Sequence, residues 1–230
     1  METIGLIFSA GKETRFDDDK PKALSMIGDV CLLDYNIGIL KRHCNHVYVV
    51  CSPSNECWFF NYETIVIRSG NGCGDAVYKA LRQLKSCNVI IAWGDCVLND
   101  DVVSRMLETS NEESNTLYIP CVYEERPYVS LCLDEDNNVR VYFGKYGETT
   151  SPCFHDYGCF VSNRDYLLGF LEEFHARFFD YSTMSYKHKH GNEMQFLDVV
   201  NETDINTRII ELNIKASSFN TIEELKRIEL

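Results

Sequence analysis

Five short apolar runs, interleaved with stretches of helical spacing, constrain the fold of this chain more than any other feature. IGLIFS (4–9), HVYVVCS (46–52), TIVIRS (64–69), NVIIAW (88–93) and TLYIPCVY (116–123) are nearly unbroken in hydrophobicity, as parallel strands covered on both faces must be. Between them, residues 31–43 carry Leu32, Leu33, Ile37 and Leu40, and residues 75–85 carry Ala76, Val77, Ala80, Leu81 and Leu84. Spacings of three and four put each set on one helical face. Alternation of this kind predicts an α/β fold with right-handed crossovers.

After Tyr123 the pattern changes. YVSLCLD, VRVYFG and HDYGCFVSN read as strands of a more antiparallel region, with EDNN (135–138) as the turn between the first two. A helix is expected from about 164 to 178, with Leu167, Leu168, Phe170, Leu171 and Phe174 inward. DYSTMSYKHKHG (180–191) has little periodicity and reads as a mobile loop, so His188 and His190, with no acidic or cysteine partner at ligand spacing, are expected to be exposed. A helix over 193–201, a strand over 208–216 and a last helix over 221–230, capped by Asn220 or Thr221, complete the pattern. No linker or repeat divides the 230 residues, and 45% hydrophobic content suits one well-cored domain.

Charge narrows the partners. With 22 basic and 35 acidic residues the net charge is −13, so the electrostatic footprint of a nucleic-acid binder is missing. A polyanionic ligand must be held by a few local cations, a metal or backbone amides. No run approaches the ~20 apolar residues of a membrane span, and the start of the chain lacks a signal-peptide pattern. The 11 cysteines include no C-x-x-C pair, which predicts reduced thiols and a cytoplasmic location without membrane association.

Ligands of open α/β sheets sit at the carboxyl ends of the strands, and three loops there are unusual. SAGKETRFDDDKPKAL (9–24) places Lys12, Arg15, Lys20 and Lys22 within eleven residues, behind Ala10 and Gly11, which permit close backbone approach. It is neither a G-x-x-x-x-G-K-[ST] nor a G-x-G-x-x-G loop. RSGNGCGDAVYKAL (68–81) is rich in glycine, and WGDCVLND (93–100) ends a strand on a carboxylate, Asp95.

These loops together resemble the nucleotidyltransferases that join a nucleoside triphosphate to a sugar phosphate or related phosphate. The family pattern L-A-A-G-x-G-T-R-M followed by P-K is matched by Ser9, Ala10, Gly11, Thr14, Arg15, Phe16, Pro21, Lys22 and Leu24, with Glu13 where glycine is usual. G-T-A-x-A corresponds to Gly72, Cys73, Gly74, Asp75 and Ala76, and G-D-x-P-L to the segment around Asp95. SFNTIEEL (218–225) resembles I-N-T-x-E-D-L through Asn220. The resemblance spans nearly the whole chain and thins over 124–190. There Lys145 in VYFGKYGE, Gly158 in HDYGCFVSN, and Glu193 and Asp198 in GNEMQFLDVV align with family segments.

The resemblance implies a single Rossmann-like, three-layer α/β/α domain with a mainly parallel mixed sheet. Its nucleotide-binding part would span about 1–123, its acceptor-binding part about 124–215 and its C-terminal helix 221–230. Ser9, Ala10, Gly11, Lys12, Glu13, Thr14, Gly72, Cys73, Gly74 and Asp75 would bind the nucleotide, Arg15 and Lys22 would be the catalytic cations, and Asp95 and Asn220 would hold Mg²⁺. Lys145, Gly158, Glu193 and Asp198 would face the acceptor. A phosphate oxygen would attack the α-phosphorus in line and release pyrophosphate, with positioning and charge neutralisation as the protein's contribution. In size the chain resembles stand-alone cytidylyltransferases of surface-polysaccharide and phosphocholine pathways, which points to CTP, with UTP or dTTP as the alternatives; the assembly would be a monomer or homodimer. A noncatalytic nucleotide-binding regulator stays open because of Glu13. A glycosyltransferase would need a D-x-D motif, and WGDCVL offers one carboxylate.

Overall fold

The computed structural model describes residues 1–11, 20–68, 71–111, 113, 115–124, 127–148, 153–214, 222–226 and 228. Strand β1 (Thr3–Phe8) leads into a small ribbon, β2 (Met26–Ile27) and β3 (Val30–Cys31), and then helix α1 (Leu32–Leu40). Next come β4 (His46–Cys51), β5 (Thr64–Val66), α2 (Cys73–Leu81), β6 (Asn88–Trp93) and α3 (Asp100–Ser110). β5, β4, β1 and β6 lie side by side in that order, all parallel. Side chains of β1 alternate between two cores: Leu6 and Phe8 pack with Val77 and Leu81 of α2, and Ile7 packs with Leu33 and Leu40 of α1 and Val103 and Met106 of α3. Three layers follow from a strand period of two with an apolar residue at every position.

The second half adds β7 (Leu117–Glu124), β8 (Val129–Leu133), β9 (Val139–Phe143), β10 (Cys153–Asp156), β11 (Cys159–Asn163) and α4 (Arg164–Phe178). After these come β12 (Phe179–Asp180), β13 (Ser185–Tyr186), α5 (Asp198–Glu202), β14 (Thr207–Glu211) and α6 (Ile222–Leu225). The antiparallel region is continuous with the parallel one. β11 inserts between β6 and β7, antiparallel to both, and β10, β8 and β9 extend the same sheet. β7, read from its apolar run as one more parallel strand, therefore has a parallel neighbour only in β14.

β10 and β11 run along β7 as one bent strand. Asp156 faces Cys121 and Val161 faces Tyr118, so the bent strand uses two more residues than its partner between those pairings. The excess falls at Tyr157 and Gly158, where Gly158 has φ +81°, a bulge that turns the chain toward the end of β6. The Trp93 N–H donates to the Gly158 carbonyl at 2.9 Å.

Several sequence expectations are corrected. The segment 180–191 is built rather than loose: β12 pairs with β13, and the side chains of His188 and His190 are each only 2% exposed. Strands of two residues carry no period to detect, and their acidic partner, Asp198, comes from another element. The helix expected over 193–201 begins only at Asp198, because the backbone before it is committed elsewhere. Met194 N–H donates to the Asn71 carbonyl at 2.8 Å, and Gln195 N–H to Asp198 Oδ2 at 2.8 Å. The strand expected over 208–216 ends at Glu211. The expectation of reduced thiols holds for nine cysteines and not for Cys132 and Cys153, which pair as a disulfide between β8 and β10 with Cα atoms 6.6 Å apart. No helix among the described residues is long and apolar enough to cross a membrane.

Candidate functional site

The carboxyl ends of β1 and β6 meet at a turn that presents Lys22. Pro21, with φ −53°, sets the chain direction, and its carbonyl accepts from Leu24 N–H at 2.8 Å, closing a tight helical turn over Lys22–Leu24. Gly94 lets this turn approach: its N–H donates to the Phe8 carbonyl at 3.0 Å, and a Cβ there would lie 2.8 Å from that oxygen and 3.2 Å from Ala23 Cβ. Lys22 Nζ consequently stands 3.5 Å from Asp95 Oδ2. The lysine is buried while the aspartate side chain is one-third exposed. The pair sets opposite charges side by side, and Asp95 keeps a face open for a ligand.

Residues that the motif reading did not single out hold this geometry. Asn55 Nδ2 donates to the Ser9 carbonyl at 2.6 Å, and Ser52 N–H in turn donates to Asn55 Oδ1 at 2.8 Å. Buried Asn36 donates to the Cys96 carbonyl at 2.8 Å and accepts from Leu98 N–H at 3.0 Å, and the Tyr157 hydroxyl donates to the Val97 carbonyl at 2.8 Å. The loop carrying Asp95 is thus clamped from two elements. The detectable signal was CSPSNE (51–56), a Ser/Asn-rich stretch directly after β4. Ser9 Oγ is buried without a hydrogen-bond partner among the described residues, and Ala10 beside it is buried too.

The bulge at Gly158 brings this predicted acceptor residue next to the Asp95 loop, since a Cβ on it would lie 2.2 Å from Cys96 Sγ. Asp156, just before it, is buried and accepts from Gly158 N–H at 3.0 Å. Burial pushes its carboxyl above the usual carboxylate range, and the nearby charge of Asp95 adds to that push.

The glycine-rich loop meets the second half of the chain directly. Met194 N–H donates to Asn71 and Gly74 N–H donates to Met194 at 2.9 Å, so residues 71–74 and 194 are laced backbone to backbone. Gly72 has φ +95°, and a Cβ on it would fall 2.3 Å from the Met194 carbonyl oxygen; one on Gly74 would fall 2.9 Å from the Gln195 carbonyl oxygen. One face of each glycine is therefore taken by this strap. Asp75 is almost fully buried, accepting from the Tyr186 hydroxyl at 3.0 Å and from Lys79 Nζ at 2.5 Å.

Cys73 accepts from Phe196 N–H at 3.3 Å, and burial pushes its thiol up to about 11. A thiol held that high is a poor nucleophile at neutral pH. On limited alkylation with iodoacetamide at pH 7.5, mass spectrometry should find exposed Cys57 labelled well before Cys73. Labelling of Cys73 first would contradict this environment.

Lys145 and Glu193, both predicted to face the acceptor, are brought together at 3.5 Å with their side chains about half exposed. Burial alone would lower the Lys145 ammonium, but Tyr146 and Glu193 outweigh it and lift the group above the ordinary lysine range. Asp198 lies deeper, fully buried, with His190 Nδ1 at 2.6 Å from Oδ1. Lys12, Glu13, Thr14, Arg15 and Asn220, together with the run Asp17, Asp18 and Asp19, lie outside the described residues. Of the residues expected to hold Mg²⁺, the described one, Asp95, offers a partly exposed carboxylate, the hard oxygen donor that this ion takes.

This arrangement agrees with what the chain is similar to. Its residues 5–173 match the family model of the MobA-like NTP transferase domain. The bifunctional protein GlmU of Francisella tularensis subsp. novicida is 26% identical over 115 residues, 47% of this chain and 25% of that protein. The chain thus spans about a quarter of the length of the curated relatives it matches. A putative glucose-1-phosphate thymidylyltransferase from Bacillus anthracis, solved in complex with a sucrose, superposes with a TM-score of 0.75 at 12% identity, covering 99% of this chain and 97% of that one. HddC from Yersinia pseudotuberculosis, solved with GMP-PN, does so with a TM-score of 0.67 at 18% identity, covering 98% and 96%. These structures share the nucleotidyltransferase α/β fold, and with residues 5–173 under one family model the chain belongs to the MobA-like NTP transferase domain family.

Proposed function

We propose that this protein transfers a nucleoside monophosphate from a nucleoside triphosphate to a small phosphorylated acceptor, such as a sugar phosphate, and releases pyrophosphate. The observation that carries this reading is the buried Lys22 paired with Asp95 where β1 and β6 end. There a triphosphate laid along the Ser9–Gly11 backbone would meet both a fixed cation and a metal-binding carboxylate.

In the reaction an acceptor phosphate oxygen attacks the α-phosphorus in line, and the bond to pyrophosphate breaks. Lys22 would neutralise charge that grows on the transferring and leaving phosphates. Arg15 would share that task, and Lys145, kept charged by Glu193 and Tyr146, would hold the acceptor phosphate. Asp95 and Asn220 would hold Mg²⁺, which when bound supplies Lewis-acid polarisation of phosphate oxygens. Ordering by Asn55, Asn36 and Tyr157 keeps the loops in place without touching the reacting atoms.

CTP is the donor we favour, by analogy with the cytidylyltransferases among the enzymes its motifs resemble. dTTP is the second reading, favoured by the thymidylyltransferase neighbour. A thermal-shift screen of CTP, UTP, dTTP, ATP and GTP with Mg²⁺ decides between them. A triphosphate at ~100 times its Kd stabilises by about 2.7 kcal/mol, and the largest shift is expected with CTP. No shift with any of the five would remove the nucleotide site.

A further inference from the structure

Away from Lys22 and Asp95, the strap between β13 and α5 builds a cluster of a different chemistry. One ligand atom each from His188, His190 and Asp198 lies within 4.8 Å of the others. Both imidazoles turn Nδ1 toward the Asp198 carboxylate, at 3.7 Å for His188 and 2.6 Å for His190. Each also turns Nε2 toward a second carboxylate: His188 toward Glu202 and His190 toward Glu148, both at 3.2 Å. The His188 side chain is 2% exposed, yet neither of its ring nitrogens makes a hydrogen bond of acceptable geometry among the described residues. Burying both polar atoms of an imidazole unpaired is costly, so the site calls for a partner on the Nδ1 side.

We propose that His188 Nδ1, His190 Nδ1 and the Asp198 carboxylate form a binding site for a divalent transition metal of the zinc class. Tetrahedral bonds of about 2.0 Å separate neighbouring ligand atoms by about 3.3 Å, between the 2.6 Å from His190 Nδ1 to Asp198 Oδ1 and the 3.7 Å from His188 Nδ1 to Asp198 Oδ2. The His190 proton that would otherwise lie against Asp198 moves to Nε2, where Glu148 accepts it, so the neutral imidazole binds as its other tautomer. A histidine that ligates with one nitrogen and donates its other N–H to a carboxylate is the usual outer support of a zinc site; the His190–Glu148 pair has that geometry, and Glu202 stands 3.2 Å from His188 Nε2, close enough to take it up on a small ring rotation. Charge agrees with a dication: Asp198, Glu148 and Glu202 surround the two imidazoles, and Lys189 Nζ lies 3.9 Å from Glu148 and 3.7 Å from Glu202. A cavity of about 490 Å³, lined in part by His188, Gly191 and Glu202, lies beside the cluster.

The consequence reaches the glycine loop. Asp198 Oδ2 also accepts from Gln195 N–H, and the adjacent Met194 is laced to Asn71 and Gly74. A metal on Asp198 would thus fasten the strap that covers Gly72 and Gly74, independently of any nucleotide or Mg²⁺.

The test uses the full chain stripped with chelator, titrated with ZnCl₂ alone by calorimetry and followed by elemental analysis after desalting. One equivalent of zinc should be retained and the melting temperature should rise. His188→Ala should weaken binding by ~100-fold or more. Glu148→Gln, which leaves all three ligands in place, should weaken it by ~10–100-fold. Asp95→Ala should bind zinc as the parent does. Failure of the parent to retain zinc overturns the proposal, as does wild-type zinc affinity in His188→Ala, which would place the ion on thiols instead.

Discussion

Lys22→Ala is expected to lower turnover at least ~100-fold while leaving the fold intact; Asp95→Ala should lower turnover as much and, by removing the carboxylate beside buried Lys22, cost more stability without unfolding the chain. A hundredfold corresponds to about 2.7 kcal/mol of transition-state stabilisation, a normal loss when a preorganised charge is removed from a transferring phosphate. The lysine is held by the Pro21 turn and buried beside Asp95, so water does not substitute for it at the same place. Stability should fall by only about 1 kcal/mol, from the lost packing of the lysine stem. Asp95 remains one-third exposed and can be solvated once its partner is gone, so no buried orphan charge results. Steady-state kinetics with circular dichroism on the same preparations checks both halves. Near wild-type turnover in either variant would remove that residue from the site.

Gly72→Ala should destabilise the protein by about 3 kcal/mol or more and abolish nucleotide binding with it. Its backbone, at φ +95° and ψ 172°, lies in a region essentially restricted to glycine, where another residue costs of order 1–3 kcal/mol. A Cβ would also sit 2.3 Å from the Met194 carbonyl oxygen. That neighbour is backbone, held by the Gly74 N–H, so relief requires the strap itself to move, and overpacking of this kind costs another ~1–3 kcal/mol. Gly169→Ala is the matching control: a Cβ there meets nothing within 4 Å and the site is inside α4, so the change should stabilise by up to ~1 kcal/mol. Urea unfolding of the two variants beside the parent measures both. A neutral Gly72→Ala would mean that the strap does not close on the glycine loop.

The parallel half of the sheet was legible because β1, β4 and β6 are largely buried and their apolar runs nearly unbroken, and the short edge strand β5 keeps a buried Ile65 at its centre. The loops after β1 and β6 stand out in the sequence by their glycine, lysine and aspartate, and the structure brings Lys22 and Asp95 of those loops to 3.5 Å. The insertion of β11 between β6 and β7 was not legible, since pairing partners are chosen over long sequence distances and leave no period in the chain. Residues 193–197 misled for a related reason: their spacing suits a helix, but their N–H groups bond to Asn71 and Asp198 instead. His188 and His190 were misread because their acidic partner lies across a turn, on α5. The glycines at 72 and 74 mark a loop in the sequence, and the structure adds a reason for them that spacing could not supply, the close approach of Met194 and Gln195.

The central claim rests on chemistry at Lys22 and Asp95, and pyrophosphate release tests it most directly. The purified chain, given each of the five nucleoside triphosphates with Mg²⁺ and a panel of sugar phosphates and phosphocholine, should release one pyrophosphate per nucleotidylated acceptor formed, and only when a triphosphate and an acceptor are both present. No release with any pair, in a protein that still binds a nucleoside triphosphate, would contradict the account and leave a binding domain without turnover.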